Sequence, residues 1–234
     1  MGQRFGKQVI HHSVSLHRKL SSVLMGAAEK PGEVIDDSYY QRFHPEGLVE
    51  LENSTNFSQS ELKLLYRCFK ENCATGYITS EQLHEIFDRF FVYGDSSEYA
   101  QLVFNTFDLD RNGRISFVEF VVALSILLRG SIDEKLSWIF DLYDNHSRGF
   151  ITRGDMLTVM RSIYSLSGQH PVCEEMLMQH VQFMFQKLDV NEDGKITHKE
   201  FVDGCRADQH ICESLNLFGS YWENPKHSRR YTLA

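Results

Sequence analysis

The sequence predicts an all-α protein of four helix–loop–helix units, paired into two lobes by short β-bridges between loops and preceded by a flexible N-terminal leader. Two twelve-residue stretches, about eighty residues apart, carry oxygen-bearing side chains at alternating positions before a glycine. Two further stretches keep that glycine and the apolar residue two places after it. Capping boxes, which mark helix N-termini, begin directly after this apolar residue in all four stretches, and two more begin at Ser58 and Ser131.

The first full stretch, loop 2, runs from Asp108 to Glu119 and matches the calcium-loop pattern D-x-[DN]-x-[DN]-G-x₅-E at every fixed position. Gly113 permits the sharp turn, because a residue without Cβ takes that backbone conformation at little cost. The surrounding carboxylate, amide and carbonyl oxygens suit Ca²⁺, and the last glutamate can bind with both of its oxygens. We expect Arg114 to contribute its carbonyl and Ser116 to act through a water.

The second full stretch, loop 4, repeats this scheme from Asp189 to Glu200 around Gly194. Two matches, each between helical patterns, are hard to explain by chance, so the sequence predicts two Ca²⁺ sites. The predicted ligands are Asp108, Asp110, Asn112, Arg114, Ser116 and Glu119 in loop 2, and Asp189, Asn191, Asp193, Lys195, Thr197 and Glu200 in loop 4.

The first degraded stretch, loop 1, runs from Glu71 to Gln82. Cys73 and Thr75 replace acidic ligands, and an amide at the last position cannot chelate with two charged oxygens. Loop 1 is therefore predicted to bind no calcium.

The second degraded stretch, loop 3, runs from Asp144 to Asp155 and places His146 and Arg148 at ligand positions. A fixed guanidinium about 5 Å from a divalent ion would cost about 6–7 kcal/mol at an effective dielectric near 20. If Arg148 pointed outward instead, it would contribute no ligand. Loop 3 is therefore expected to be empty at cellular calcium.

Each calcium loop is expected to pair with a degraded neighbour, Ile78 with Ile115 and Ile151 with Ile196, so that each lobe holds one ion. The predicted organisation is a leader (1–45), four units (54–94, 95–130, 131–167 and 174–210), and a C-terminal helix and tail (211–234). On the last helix Ile211, Leu215 and Phe218 align. That helix either covers a groove in the C-terminal lobe or packs as an ordinary terminus, and both interpretations stay open.

An apolar stripe follows loop 1 at helical spacing, and the helix after loop 2 continues it with Phe120 and Leu124. One interpretation is packed core. The other is a groove for a partner helix, exposed when calcium separates the helices. The members of the stripe after loop 1 are Leu83, Ile86, Phe87, Phe90 and Phe91.

Charge, cysteine content and the absence of catalytic motifs limit the classes of function that the sequence predicts. The formal net charge of −8 argues against a nucleic-acid partner, whereas residues 1–30 sum to about +4 and could contact a membrane surface. Five scattered cysteines without zinc spacing predict reduced thiols in a cytoplasmic protein. An N-terminal acyl signal at Gly2 is incomplete, because Gly6 stands where Ser or Thr is required. Protease, esterase, Walker and kinase motifs are absent from the sequence, so it predicts no enzyme.

Four stretches resemble the neuronal calcium sensors of the EF-hand superfamily, and within them the potassium-channel-interacting proteins. They are residues 44–48 (HPEGL), 51–57 (LENSTNF), 65–67 (LYR) and 123–130 (ALSILLRG). The resemblance implies four EF-hands with a silent first loop. It also implies an N-terminal groove for a cytoplasmic helix of an A-type voltage-gated potassium channel. The groove positions would be Leu83, Ile86, Phe87, Phe90, Phe91, Phe120 and Leu124. The chain departs from that branch in keeping loop 2 and degrading loop 3.

Together these features predict a non-enzymatic calcium sensor that binds and regulates a helix of a membrane channel. We expect it in the cytoplasm, at the inner face of the plasma membrane when it is bound to its partner. Two alternatives stay open: a calcium-dependent regulator of a membrane cyclase or kinase, and a calcium buffer whose loops bind the ion without opening.

Overall fold

The computed structural model describes residues 45–73, 75–166, 173–208 and 211, and within them it confirms the all-α fold. The leader before Pro45 and the predicted positions Leu215 and Phe218 lie outside the described residues. The described helices are α1 (Pro45–Ser54), α2 (Gln59–Asn72), α3 (Ser80–Phe90), α4 (Ser97–Phe107), α5 (Phe117–Arg129), α6 (Ile132–Tyr143), α7 (Arg153–Ser165), α8 (Glu174–Leu188) and α9 (His198–Ala207).

Six helices begin at the capping boxes that the sequence predicts. In each one the hydroxyl of a Ser or Thr accepts a hydrogen bond from the backbone three residues later, and the side chain there accepts one in return. Caps of this kind stabilise a helix by about 0.5–2 kcal/mol each. The capping residues are Ser58, Thr79, Ser116, Ser131, Thr152 and Thr197.

Short antiparallel strands join the loops in pairs, as the sequence predicts. Strand β1 (Tyr77–Ile78) pairs with β2 (Ile115–Ser116), and β3 (Phe150–Thr152) pairs with β4 (Lys195–Thr197). Ile78 lies opposite Ile115, and Ile151 lies opposite Ile196. All four isoleucines are buried, so each pair of loops contributes to the core of its lobe.

Helix α1 lies between residues 45 and 54, where the sequence pattern predicts no element. Leu48 and Leu51 are buried in the core, and α1 packs against α2 and α5. Just after α1, the Asn56 N–H donates to Ser125 Oγ of α5 at 2.8 Å. The start of the described chain is therefore attached to the helix that leaves loop 2.

The two lobes contact each other through α4, which packs against α6 and α7. The Asp95 N–H donates to the Ser165 carbonyl at 3.1 Å, and the ring centroids of Phe107 and Trp138 are 6.3 Å apart. No helix among the described residues is both long enough and apolar enough to cross a membrane.

Candidate calcium sites

Loop 2 brings together three of its predicted ligands. Carboxylate oxygens of Asp108, Asp110 and Glu119 all lie within 4.8 Å of one another. Calcium binds oxygen at about 2.3–2.6 Å, so two oxygens on one ion are at most about 5 Å apart. The three carboxylates therefore fit a single Ca²⁺ ion. Asp108 and Glu119 are buried, whereas Asp110 is exposed, so the site lies at the surface of the lobe.

The backbone of loop 2 adopts the turn that its glycine predicts. Gly113 has a φ of 78°, a conformation that side chains with a Cβ rarely take. The carboxylate of Asp108 accepts hydrogen bonds from the Asn112 N–H at 3.0 Å and the Gly113 N–H at 2.8 Å. The Arg114 guanidinium lies 4.4 Å from the ring centroid of Tyr77. The predicted ligand from Arg114 is its backbone carbonyl, not this side chain.

Glu119 connects the two ends of loop 2 to the first turn of α5. Its Oε1 accepts hydrogen bonds from the N–H groups of Leu109 at 3.0 Å and Asp110 at 3.2 Å. Its Oε2 accepts from the N–H of Ser116 at 2.8 Å and from the Ser116 hydroxyl at 2.7 Å. One carboxylate therefore contacts both ends of loop 2 and the residue that caps α5.

Loop 4 repeats the arrangement with an amide at the second ligand position. Asp189 accepts hydrogen bonds from the backbone N–H groups of Asp193 at 3.2 Å and Gly194 at 3.0 Å, and Asn191 Oδ1 also accepts from Asp193 at 2.9 Å. Burial disfavours the charged form of Glu200. Hydrogen bonds from the nearby Thr197 and from the other end of the loop outweigh that effect, so the pKa of Glu200 lies below its usual value.

The side chains at three ligand positions of loop 1 are poorly suited to calcium. The Gln82 amide oxygen accepts from the Thr79 N–H at 3.0 Å, and the Thr75 hydroxyl donates to the Tyr77 carbonyl at 3.1 Å. Burial raises the pKa of the Cys73 thiol, which keeps it protonated. A protonated thiol is a poor ligand for a hard ion.

In loop 3 the side chain of Arg148 points into the loop, not outward. Its guanidinium contacts Asp155 Oδ2, and Nε lies 4.0 Å from Asp144 Oδ1. These are the first and last carboxylates of the loop. From the sequence, Arg148 was expected either to repel an ion or to point outward. The acidic residues at both ends of the loop were the available signal for this inward position.

Five of the seven residues predicted to line the groove lie in the core of the first lobe. Phe87 and Phe91 stack with ring centroids 6.1 Å apart. Of the seven predicted positions, Leu83, Phe87, Phe91, Phe120 and Leu124 are buried, Ile86 is partly exposed, and the side chain of Phe90 is outside the described residues. This burial is compatible with a closed groove as well as with packed core, so the groove stays a prediction.

The family comparison agrees with the geometry of the loops. Residues 74–127 and residues 133–206 each match a family described as an EF-hand domain pair. The two matches together span just over half of the chain and correspond to the two lobes. EF-hand domains bind calcium and are typically regulatory, not catalytic. The chain therefore belongs to the EF-hand superfamily of calcium-binding proteins.

Proposed function

We propose that this protein is a calcium sensor with two calcium sites, loop 2 and loop 4, that binds and regulates a helix of a membrane protein. The observation that carries the proposal is the position of Glu119. Its carboxylate lies within 4.8 Å of the oxygens of Asp108 and Asp110, and it stands in the first turn of α5. An ion held by all three carboxylates would attract Glu119 and thereby bias the position of α5.

Helix α5 connects that site to the N-terminal helices. Ser125 accepts the hydrogen bond from Asn56, and the Arg129 guanidinium donates to the Asn56 carbonyl at 2.7 Å and to Glu61 at 2.5 Å. A displacement of α5 would therefore shift or break its contacts with the segment before α2 and with α2 itself. Phe120 and Leu124 of the predicted groove lie on this same helix.

Five of the seven predicted groove positions are buried, so target binding through them would require calcium to expose them. The sequence resemblance supports a cytoplasmic helix of an A-type voltage-gated potassium channel as the target, with this protein as an auxiliary subunit. The basic leader supports contact with the inner face of the plasma membrane. A regulator of a membrane cyclase or kinase would use the same groove for a different helix.

The test is capture of a peptide from the channel N-terminus, with and without calcium, by the full chain and three variants. Glu119→Gln should abolish calcium-dependent capture, because loop 2 is in the lobe that bears the groove. Glu200→Gln should retain capture, and Glu175→Gln is the control, an exposed glutamate in the first turn of α8. Equal loss for Glu119→Gln and Glu200→Gln would contradict coupling through loop 2.

An apolar fluorescent dye separates the sensor from a calcium buffer. A sensor exposes apolar surface when calcium binds, so dye fluorescence should rise. The buffer is favoured by one observation, the burial of the groove positions Leu83, Phe87, Phe91, Phe120 and Leu124. Calcium binding without a rise in dye fluorescence would identify the protein as a buffer. Capture of a cyclase or kinase peptide in place of the channel peptide would identify the other regulator.

A further inference from the structure

Loop 3 has the backbone of a calcium loop although its ligand set is degraded. Asp144 accepts hydrogen bonds from the N–H groups of Arg148 at 3.0 Å and Gly149 at 2.6 Å, as the first aspartates of loops 2 and 4 do in theirs. Gly149 has a φ of 81° and Ser147 a φ of 49°, close to the values at the same positions of the calcium loops. The loop is therefore folded as though it were closed around a cation.

The carboxylates at the two ends of loop 3 both face a positive charge. The Asp144 side chain is 4% exposed and that of Asp155 is 10% exposed, so neither is well solvated. Buried carboxylates need a cation or hydrogen-bond donors to remain charged. Arg148 supplies both, because its guanidinium presents several donors in a planar fork. It contacts Asp155 and approaches Asp144 to 4.0 Å.

The contact with Asp155 also involves the start of α7. Asp155 Oδ2 accepts from the Thr152 N–H at 2.8 Å and from the Thr152 hydroxyl at 2.6 Å, completing the capping box of that helix. In loop 2 the equivalent carboxylate is Glu119, which was predicted to close its site around an ion. In loop 3 the guanidinium of Arg148, instead of an ion, contacts this last carboxylate.

We propose that Arg148 is a tethered cation that takes the place of calcium in loop 3. It connects the first and last carboxylates and keeps the loop and the start of α7 closed in the absence of calcium. The occupancy of a site by a free ion depends on the concentration of that ion, whereas a side chain of the same loop is always present. Loop 3 is thus insensitive to calcium, and the response of the second lobe arises in loop 4 alone.

This arrangement would give loop 4 a preformed partner. Strand β3 of loop 3 pairs with β4 of loop 4 over three residues. Two cations contact the ring of Phe150: its centroid is 5.1 Å from the guanidinium of Arg148 and 4.4 Å from the ammonium of Lys195 in loop 4. Because β3 is held by an internal contact, one side of this small sheet is already ordered before loop 4 binds calcium.

Amide hydrogen exchange on the full chain tests the proposal by comparing equivalent positions. Without calcium, the amides of Gly149 and Thr152 in loop 3 should be protected, and those of Gly113 and Ser116 in loop 2 should exchange faster. At a calcium concentration 100 times the dissociation constant, the loop 2 amides should gain about 100-fold protection and the loop 3 amides should change little. A gain in loop 3 equal to that in loop 2 would overturn the proposal.

The same comparison distinguishes failure of this inference from failure of the proposed function. If loop 2 binds no calcium, its amides will not respond to the ion, but protection of loop 3 in calcium-free protein would still support the tethered cation. Unprotected loop 3 amides in calcium-free protein would overturn the tethered cation, whatever loop 2 does.

A pair of variants tests the role of the guanidinium itself. In calcium-free protein, Arg148→Gln should speed exchange at Gly149 and Thr152 by about threefold to fivefold, as for other partly exposed ion pairs. Arg153→Gln removes the same charge nearby, from an arginine that donates to Gln182 at 3.3 Å and lies over the ring of Phe185, and should change exchange at Gly149 and Thr152 less than Arg148→Gln does. Equal effects of the two changes would refute a specific role for Arg148. The wild-type comparison stands even if Arg148→Gln does not fold.

Discussion

The ion pair between Glu61 and Arg129 attaches α2 to the end of α5, and we expect its removal to destabilise the first lobe. The guanidinium donates to the two carboxylate oxygens at 2.5 and 3.0 Å. The side chains are 24% and 34% exposed. Hydrogen bonds from Arg129, aided by those from Ser58 and opposed by partial burial, lower the pKa of Glu61 from 4.5 to about 2.

That pKa fixes the pH range over which the ion pair stabilises the fold. A carboxyl whose pKa is lower in the folded state stabilises the protein at pH values above its unfolded pKa. The contribution is lost as the pH falls from about 4.5 to about 2. Because both side chains are partly exposed to solvent, we expect about 1 kcal/mol at neutral pH. Glu61→Gln keeps an acceptor for the Ser58 cap while removing the charge.

Urea unfolding of calcium-free protein at pH 7 and near pH 3 measures this contribution. Glu61→Gln should lower the free energy of unfolding by about 1 kcal/mol at pH 7 and by less near pH 3. A double-mutant cycle with Arg129→Gln should assign most of the loss to the pair. An equal loss at both pH values, or no coupling energy in the cycle, would refute the assignment of the low pKa to Arg129.

Two further predictions concern the lobe interface and the paired loops. A Cβ at Gly94 would lie 2.4 Å from the backbone carbonyl oxygen of Leu166, so Gly94→Ala should destabilise the protein by about 1–3 kcal/mol, measured by urea unfolding. The control is Gly154→Ala in α7, where the nearest atom to the added Cβ would be 3.7 Å away. This change should be neutral or should stabilise the protein by up to about 1 kcal/mol. Ile115→Ala should cost about 2–5 kcal/mol because Ile115 is fully buried, whereas the half-exposed Val118→Ala should cost less than about 0.5 kcal/mol. A loss at Val118 equal to that at Ile115 would show that the loop pair does not contribute to the core.

The parts of the structure that depend on nearby residues could be predicted from the sequence. Capping boxes such as Thr79 with Gln82 and Ser116 with Glu119 need residues only three positions apart, and all six were found. The pairing of Ile78 with Ile115 followed from the shared loop position. Spacing within twelve residues likewise identified the cluster of loop 2.

The parts that depend on distant packing could not be predicted. Among the described side chains of α1, Leu48 and Leu51 face the core, which is too few to define a helical stripe, and the neighbouring α5 is about seventy residues away. The contact between Asp95 and Ser165 joins the two lobes through backbone atoms, which carry no signal in the sequence. The acidic residues at both ends of loop 3 were a signal for the inward rotamer of Arg148, but its contact with Asp155 also depends on the closed loop, which brings the two ends together.

Isothermal titration calorimetry with Ca²⁺ tests the central claim most directly, because it counts sites and needs no partner. The wild-type chain should bind two ions, Glu119→Gln and Glu200→Gln should each bind one, and the double variant should bind none. Glu175→Gln should still bind two. A third site in the wild-type chain, or a site that persists in the double variant, would contradict the account, because calcium would then bind loop 1 or displace Arg148 from loop 3.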